Sequence, residues 1–582
     1  MGKRKKRQMR RGSVLLIQTV MLMGTIATVG LAVDVGTIYL IKARLSAAVD
    51  AAALAAGRSV NLANTVQQAQ SQAIAAAQQF FNANFPAGYL NSIGTPTVTP
   101  TFTQVTDAHG NPTGVLNISV TASAQAPTYF MNILGISSIT VTDAGTASRR
   151  GLVMVLVLDE SSSMNTAPNP VTGLTACQAM IQAAQNFITL FSPYDYIGLV
   201  TFDLTAHLIY APSTSYGNGT LNADIGAITC QSNTNTISAL QLAYQQIQAV
   251  NLPLAKNTIM LFTDGSPNGV SADFPLRTSL DSRWGPAMPG PAPAPPAQSG
   301  STYGLTNSCA NPPATSPNDA NGNNEYAICI NMPVVCTAAG TVRGTLAQWG
   351  GQDSWGANTY GLVQPMDTDP VPSFPATCSD TSNPGGLPSI YVRQFLAYIP
   401  NTDIYGNSLH GNYDNWLYQT NQECSPNPDV QPNCKNTGDL WSNHPGIGSG
   451  SNFFPTANIY TNADTYGGYF RLDQPNSVVA ASMNGTINEA FKIRSDTTFH
   501  PVINTIYLTG NATDAVDRQF LPIVANAALI TALPYDPVSF VPYANPDFQP
   551  DQEQGTYLVT ADSTQLQSLF AQLASEVLRL SQ

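Results

Sequence analysis

Seven consecutive apolar residues, Leu152 to Leu158, end abruptly on Asp159, Glu160, Ser161, Ser162 and Ser163. A run of that length without a polar interruption reads as a strand buried on both faces, a property of central strands in parallel sheets. Helices must then cover both faces, which confines this part of the chain to the α/β class. Ligand sites in open α/β sheets form beyond the carboxyl ends of strands, where the Asp159 loop falls. A carboxylate followed by hydroxyls two and four residues on places hard oxygen donors on one side of a tight turn. Such donors suit Mg²⁺ or Mn²⁺.

The following residues keep a β–α rhythm. Met180, Ile181, Ala184, Phe187, Ile188 and Phe191 trace one helical face, and Ile237, Leu240, Tyr244 and Ile247 another. Tyr196–Phe202 and Thr258–Thr263 are further buried strands, the second ending at Asp264 and Gly265. Far downstream, Val502–Leu508 and Thr556–Val559 read as strands, and Leu566, Leu569, Phe570, Leu573, Val577 and Leu580 share a face of a last helix.

This order, with D-x-S-x-S after the first strand, resembles the von Willebrand factor A (vWA) domain and its metal-ion-dependent adhesion site. D-x-S-x-S alone also describes an ordinary polar turn, so the resemblance rests on three loops in the right order. It implies a Rossmann-like doubly wound parallel sheet and a metal set of Asp159, Ser161, Ser163, Thr234 and Asp264. Thr234 comes from the loop Asn233–Thr236, and Asp264 from Thr263-Asp264-Gly265. The implied cofactor is a divalent metal, Mg²⁺ first, with Mn²⁺ or Ca²⁺ as alternatives. Two carboxylates roughly neutralise a dication and leave one position open to an acidic group of a protein partner. Glu160 and Asp203 are read as solvated or structural.

The N-terminus sets a different constraint. Gly12 to Val33 holds no charged residue. As a helix these 22 residues rise about 33 Å at ~1.5 Å each, enough for a bilayer core of ~30 Å. Lys3, Arg4, Lys5, Lys6, Arg7, Arg10 and Arg11 precede the span, which keeps that end cytoplasmic and exports everything after Asp34. A cleaved signal peptide is the alternative; the span is longer than an ordinary h-region, and helical sequence continues past it. The basic start, the apolar span, the D-x-G-x-x-Y element at Asp34–Tyr39 and the block Leu45–Ala56 together resemble TadG-like proteins. These belong to the TadE/TadG-like group of Tad (Flp) pilus assembly. Prepilin-like members of that machinery carry a glutamate five residues after a cleavage glycine. Counted from Gly12 that position is Ile17, which favours an uncleaved anchor.

The domain plan that follows is a basic cytoplasmic tail (1–12), a transmembrane helix (13–33) and an extracytoplasmic helical TadE/TadG-like segment (34–94). Next come a small β-rich unit (95–150), the vWA domain's first part (151–268), a Cys/Trp/Pro-rich insertion (269–470) and its second part (471–582). Alternating β-branched residues around the turn signal His109–Pro112 carry the β-rich unit. The insertion opens with a Pro-rich stretch, Gly285–Pro296, and holds all five tryptophans and six of the eight cysteines. It leaves from the strand that carries Asp264, so it reads either as a recognition surface beside the metal or as a small core of its own. The remaining cysteines, Cys177 and Cys230, fall in the vWA part, and that partition favours a bridge between them.

Composition narrows the function. With seven of the 23 Lys and Arg in the basic tail, the rest of the chain is still more acidic than the overall net charge of -12. Such a surface is poorly suited to phosphate backbones, so no nucleic-acid partner is expected. The five histidines are scattered, and there is no H-E-x-x-H, no G-x-S-x-G elbow and no P-loop. Asn318–Glu325 fails the spacing of a calcium loop. The expectation is a non-enzymatic, single-pass protein of the bacterial inner membrane with its bulk periplasmic or at the cell surface. It would be a metal-dependent binding or adhesion module of Tad pilus assembly, meeting other pilus-assembly or envelope components and contacting the membrane through residues 13–33. A structural pilin-like subunit is the alternative, and a metal-assisted hydrolase has the least support.

Overall fold

The computed structural model describes residues 6–60, 65–165, 169–265, 267–275, 340–347, 362–364, 391–392, 398–411, 465–466, 469–470, 475–508, 515–530, 543–545 and 547–581. The chain divides into two compact units. The first comprises Met1–Gly151, Leu190–Asp195 and Leu578–Gln582; the second holds the rest.

The first unit begins with α1 (Lys6–Ser59), a single helix of 54 residues. From Leu15 to Val29 it is exposed on every side. Beyond that, Ile41, Leu45, Ala48, Val49, Ala52, Ala53 and Ala56 are buried, a stripe at helical spacing. It packs against Ala69, Ala73, Ala77 and Phe81 of α2 (Val66–Asn84), whose first turn is capped by the Thr65 hydroxyl accepting from the Gln68 amide. Alanine at every fourth position lets the two backbones approach closely. Three antiparallel strands, β1 (Ile93–Thr106), β2 (Pro112–Pro127) and β3 (Ser138–Arg150), complete the layer. The expected turn at 109–112 forms, with the Asp107 carboxylate accepting from the amides of His109 and Asn111. Gly145 of β3 lies so close to α1 that a Cβ there would meet the Asp50 amide at 2.7 Å, so only glycine fits.

The second unit is built on a six-stranded sheet. Its strands are β4 (Leu152–Asp159), β5 (Tyr196–Phe202), β6 (Ala206–Ser213), β7 (Lys256–Thr263), β14 (Val502–Leu508) and β17 (Tyr557–Thr560). They run in the order β17-β14-β7-β4-β5-β6. The first five are mutually parallel, while β6 joins the β5 edge antiparallel, so the sheet is mixed. All eight residues of β4 are buried, as the unbroken apolar run requires. Val153, Val155 and Val157 face α5 (Thr236–Val250), α6 (Pro475–Arg494) and α7 (Ala515–Val524). On the other face, Phe187 of α3 (Ala176–Phe187) meets Phe570 of α8 (Leu566–Ser581) edge-on at 5.5 Å, and Phe570 meets Phe262 of β7.

The described part of the insertion is welded into this core. β8 (Gly269–Pro275) and β9 (Thr341–Ala347) pair antiparallel, with β10 (Leu362–Gln364) and β11 (Tyr391–Val392) beyond them; β12 (Thr465–Tyr466) pairs with β13 (Tyr469–Phe470), β15 (Leu529–Ile530) with β16 (Tyr543–Ala544), and the short α4 (Thr220–Gly226) follows β6. Val270, Ala272, Phe274 and Leu346 join the same buried cluster as α5 and α6. The turn 401–411 is fastened to α6 by Asn407, which donates to Asp403 and to Glu489, itself paired with Lys492 at 2.6 Å. The Pro-rich stretch, the tryptophans and the six insertion cysteines lie outside the described residues.

Cys177 and Cys230 form the expected disulfide across a separation of 53 residues. A loop of that size constrains the unfolded chain strongly. Replacing both cysteines by alanine should lower the second unit's stability by about 3 kcal/mol, within the usual range for such bridges. Thermal unfolding followed by calorimetry reads this; an unchanged midpoint would mean that the bridge contributes nothing.

Candidate metal centre

The candidate site lies at the carboxyl ends of β4 and β7, the two central strands. Asp159 is the last residue of β4 and is fully buried. Its Oδ1 accepts from the Ser161 amide at 2.8 Å, a contact that bends the loop back over the strand end. Its Oδ2 accepts from the Thr263 hydroxyl of β7 at 2.5 Å. The Ser161 and Ser163 hydroxyls lie 2.9 Å apart, and the Ser163 hydroxyl donates to Asp264 Oδ1 at 2.7 Å. Four of the five expected ligand residues thus form one connected run of oxygen donors.

Thr234, the fifth, sits on the loop before α5 and is buried. Its amide donates to the Asn268 side chain at 2.7 Å, and its carbonyl accepts from the amides of Asn268 and Gly269. The same loop is stitched to the serine loop, because the Ser162 amide donates to the Ser232 carbonyl and Gln231 to that of Glu160. The backbone therefore holds the Thr234 loop beside the Asp159 loop, without a hydrogen bond joining its hydroxyl to the other four residues among those described.

Electrostatics single out the two carboxylates. Burial pushes the Asp159 carboxyl up to about 6, against the lowering effect of its hydroxyl and amide donors. Burial and then the Asp159 charge push Asp264 up to about 7. Among the described residues no cation offsets either rise. Two carboxylates and three hydroxyls, all hard donors, match a small dication, and its charge would balance the pair. The donor set fits such an ion.

A second constellation flanks the first. His207 Nε2 lies 3.5 Å from Asp203 Oδ1 and 4.0 Å from Glu160 Oε1, with the Thr205 hydroxyl 3.0 Å away. These three side chains could hold a cation of their own. Asp203 Oδ1 also accepts from the Thr205 amide, which shapes the β5–β6 turn. Asp203 and His207 stand four residues apart, and the turn from β5 into the antiparallel β6 also brings His207 to Glu160. Asn268, which positions Thr234, lies outside the motif, and Thr263, quoted only as the residue before Asp264, turns out to position Asp159.

Comparison with known proteins agrees with this architecture. The family model for the von Willebrand factor type A domain matches residues 154–266. Residues 154–266 form a vWA domain. A second family model, for putative Flp pilus-assembly TadE/G-like proteins, matches residues 12–59. The chain thus carries a vWA domain and an N-terminal segment similar to TadE/G-like proteins. Among solved structures it is similar to the vWF domain of the type V pili tip protein Mfa5 from Porphyromonas gingivalis, at 14% identity over 75% of this chain and 98% of that one, with a TM-score of 0.31. It is also similar to the PilB minor pilin from Streptococcus sanguinis, at 11% identity over 84% of this chain and 79% of that one, with a TM-score of 0.30. A structure of three N-terminal domains of Mfa5 is matched over 28% of its length and 31% of this chain, at 17% identity and a TM-score of 0.20. No curated protein matches the sequence.

Proposed function

We propose that this protein is a membrane-anchored, metal-dependent binding module of Tad (Flp) pilus assembly, not an enzyme. The observation that carries the reading is the run of oxygen donors Asp159, Ser161, Ser163 and Asp264, two of them carboxylates raised by burial. Asp159, Ser161, Ser163, Thr234 and Asp264 would hold the ion, Mg²⁺ first among the candidates. Bound there, the dication supplies an electrophilic position for a carboxylate of a partner protein. The Tad-type segment and the exposed apolar half of α1 favour an anchor in the bacterial inner membrane, with the vWA domain periplasmic or at the cell surface.

Titration calorimetry of the full chain in lipid nanodiscs with Mg²⁺, Mn²⁺ and Ca²⁺ tests the metal. Crosslinking in intact cells, with and without chelator, tests the partner. Absence of saturable uptake of all three ions would sink the proposal. The length and exposure of α1 also suit a pilin-like subunit packed helix to helix. A mature chain that begins at Ser13, found by N-terminal sequencing, would favour that reading.

A pH dependence follows. Without metal, Asp159 and Asp264 hold protons in the folded state well above the ordinary carboxylate value of 3.8. Their contribution to stability is complete below about pH 4 and is lost as pH rises through about 6 to 7. An added dication reverses the sign, because it needs both groups ionised. The gain in melting temperature on adding MgCl₂ should therefore be larger at about pH 8 than at about pH 5. An equal gain at both pH values would show that these carboxylates do not hold the ion.

A further inference from the structure

One surface of the first unit is apolar where a water-facing surface should not be. Between β2 and β3 the chain makes a short loop with a 3₁₀ turn at Met131–Leu134. Ile133 and Leu134 are 81% and 80% exposed, and Tyr129, Phe130 and Ile136 are exposed around them. Residues 127–142 include no charged side chain. The loop is not slack. Its base is closed by the Thr128 amide donating to the Ser137 carbonyl and the Ile136 amide to that of Met131, and Gly135 turns it at φ 85°. Folding has built a rigid knob whose tip carries two large aliphatic side chains and buries neither.

The height of that knob along α1 is fixed. The buried Asp34 carboxylate accepts from the amides of Tyr129 at 2.8 Å, Phe130 at 3.0 Å and Met131 at 2.7 Å. One helical turn earlier, the Phe130 ring lies against Gly30, where any Cβ would collide with it. The loop is thus clamped to residues 30–34 of α1. The last charge before the span is Arg11, and the exposed stretch Leu15–Val29 is only about 22 Å long at ~1.5 Å per residue. A bilayer core of ~30 Å needs about 20 residues. Counted from Gly12, its far edge falls at residues 31–33, the level to which Asp34 and Gly30 clamp the loop. Aromatic residues collect at that depth in membrane proteins, as Tyr129 and Phe130 would here.

We propose that the knob Tyr129–Ile136 seats its apolar tip in the outer interface of the bilayer that α1 crosses, a second and shallow membrane contact. The occupant of this surface is lipid. The contact would hold the first unit close to the membrane and restrict its tilt, which a single helix cannot do. Asp34 acts as the clamp that sets the depth. This inference rests on the reading of α1 as an anchor, so its test must separate the two.

Three single variants of the full chain, Ile17→Trp, Leu134→Trp and Gln104→Trp, are reconstituted in vesicles of phosphatidylethanolamine and phosphatidylglycerol. All three positions are exposed, so folding is not at stake. Part of the lipid is brominated near the headgroup end or near the methyl end of its acyl chains, and the native fluorescence is subtracted. The added emission of Leu134→Trp should fall by about half with shallow bromines, because interfacial side chains sit ~5–10 Å into the boundary. That of Ile17→Trp, inside the span, should be quenched by both lipids, and that of Gln104→Trp, on β1, by neither. Quenching of Ile17→Trp with none of Leu134→Trp overturns the knob while the anchor stands. That outcome includes a second copy of the chain covering the tip, which a blue shift growing with protein density would reveal. No quenching of Ile17→Trp overturns both.

Discussion

Replacing Asp159 by asparagine should abolish saturable uptake of Mg²⁺ or Mn²⁺ while leaving the fold intact. Asparagine keeps an acceptor for the Ser161 amide and much of the contact with Thr263, so the loop has no reason to open. It removes one of the two charges that a dication needs. Loss of groups that merely orient a ligand already weakens metal sites by about 10–100-fold, so loss of a buried carboxylate ligand should exceed this, on the order of 10³ or about 4 kcal/mol. Asp264→Ala, at a less buried position, should have a similar effect with even less risk to folding. Both variants should melt no lower than the native protein in chelator, because each relieves a pair of carboxylates that burial already disfavours. Calorimetry and melting curves with and without Mg²⁺ check the two halves separately. Binding by Asp159→Asn within three-fold of the native value would remove Asp159 from the site.

The parts legible in the sequence are those written in local periodicity. The β4 run from Leu152 to Leu158 reads as a doubly buried strand, and it lies at the centre of the sheet between β7 and β5. Val502–Leu508 is a strand over the expected residues for the same reason. The vWA pattern placed Asp159, Ser161, Ser163 and Asp264 at strand ends, where the fold gathers them. What stayed hidden depends on pairings between distant segments. Gly269–Pro275 falls in the segment set apart as an insertion, yet pairing with β9 makes it a core strand. Asn268 and Thr263 look like ordinary polar residues until the loops they brace are brought together. His207 is only four residues from Asp203, but it reaches Glu160 through the turn into the edge strand β6. Leu190–Asp195 follows the first vWA helix in sequence but belongs to the first unit, an assignment no periodicity could show.

That short segment carries the largest expected loss of stability in the first unit. Arg149, at the end of β3, donates through Nη2 to both carboxylate oxygens of Asp195, at 2.8 and 2.9 Å. The pair is almost entirely buried, at 3% and 0% exposure. Asp195 Oδ2 also accepts from the Ser192 amide, and the Ser192 hydroxyl donates to the carbonyl of Val60 just past the end of α1. One carboxylate thus holds strand β3 and a tight turn together, and the turn holds the end of the long helix. Arg149→Met keeps the length of the side chain but leaves Asp195 buried without its cation, which costs about 3–5 kcal/mol in comparable pairs. The whole chain will not unfold in two states, so a single melting midpoint is the wrong measure. Hydrogen exchange resolved by segment is the right one. Protection of the β3 amides should drop on the order of a thousand-fold, the equivalent of about 4 kcal/mol, while β4 and β7 are unchanged. Adding Asp195→Leu to Arg149→Met should restore much of the loss, because replacing both partners of a buried pair costs far less than removing one. A drop under ten-fold in the single variant, or no recovery in the double one, would show that other contacts hold this corner.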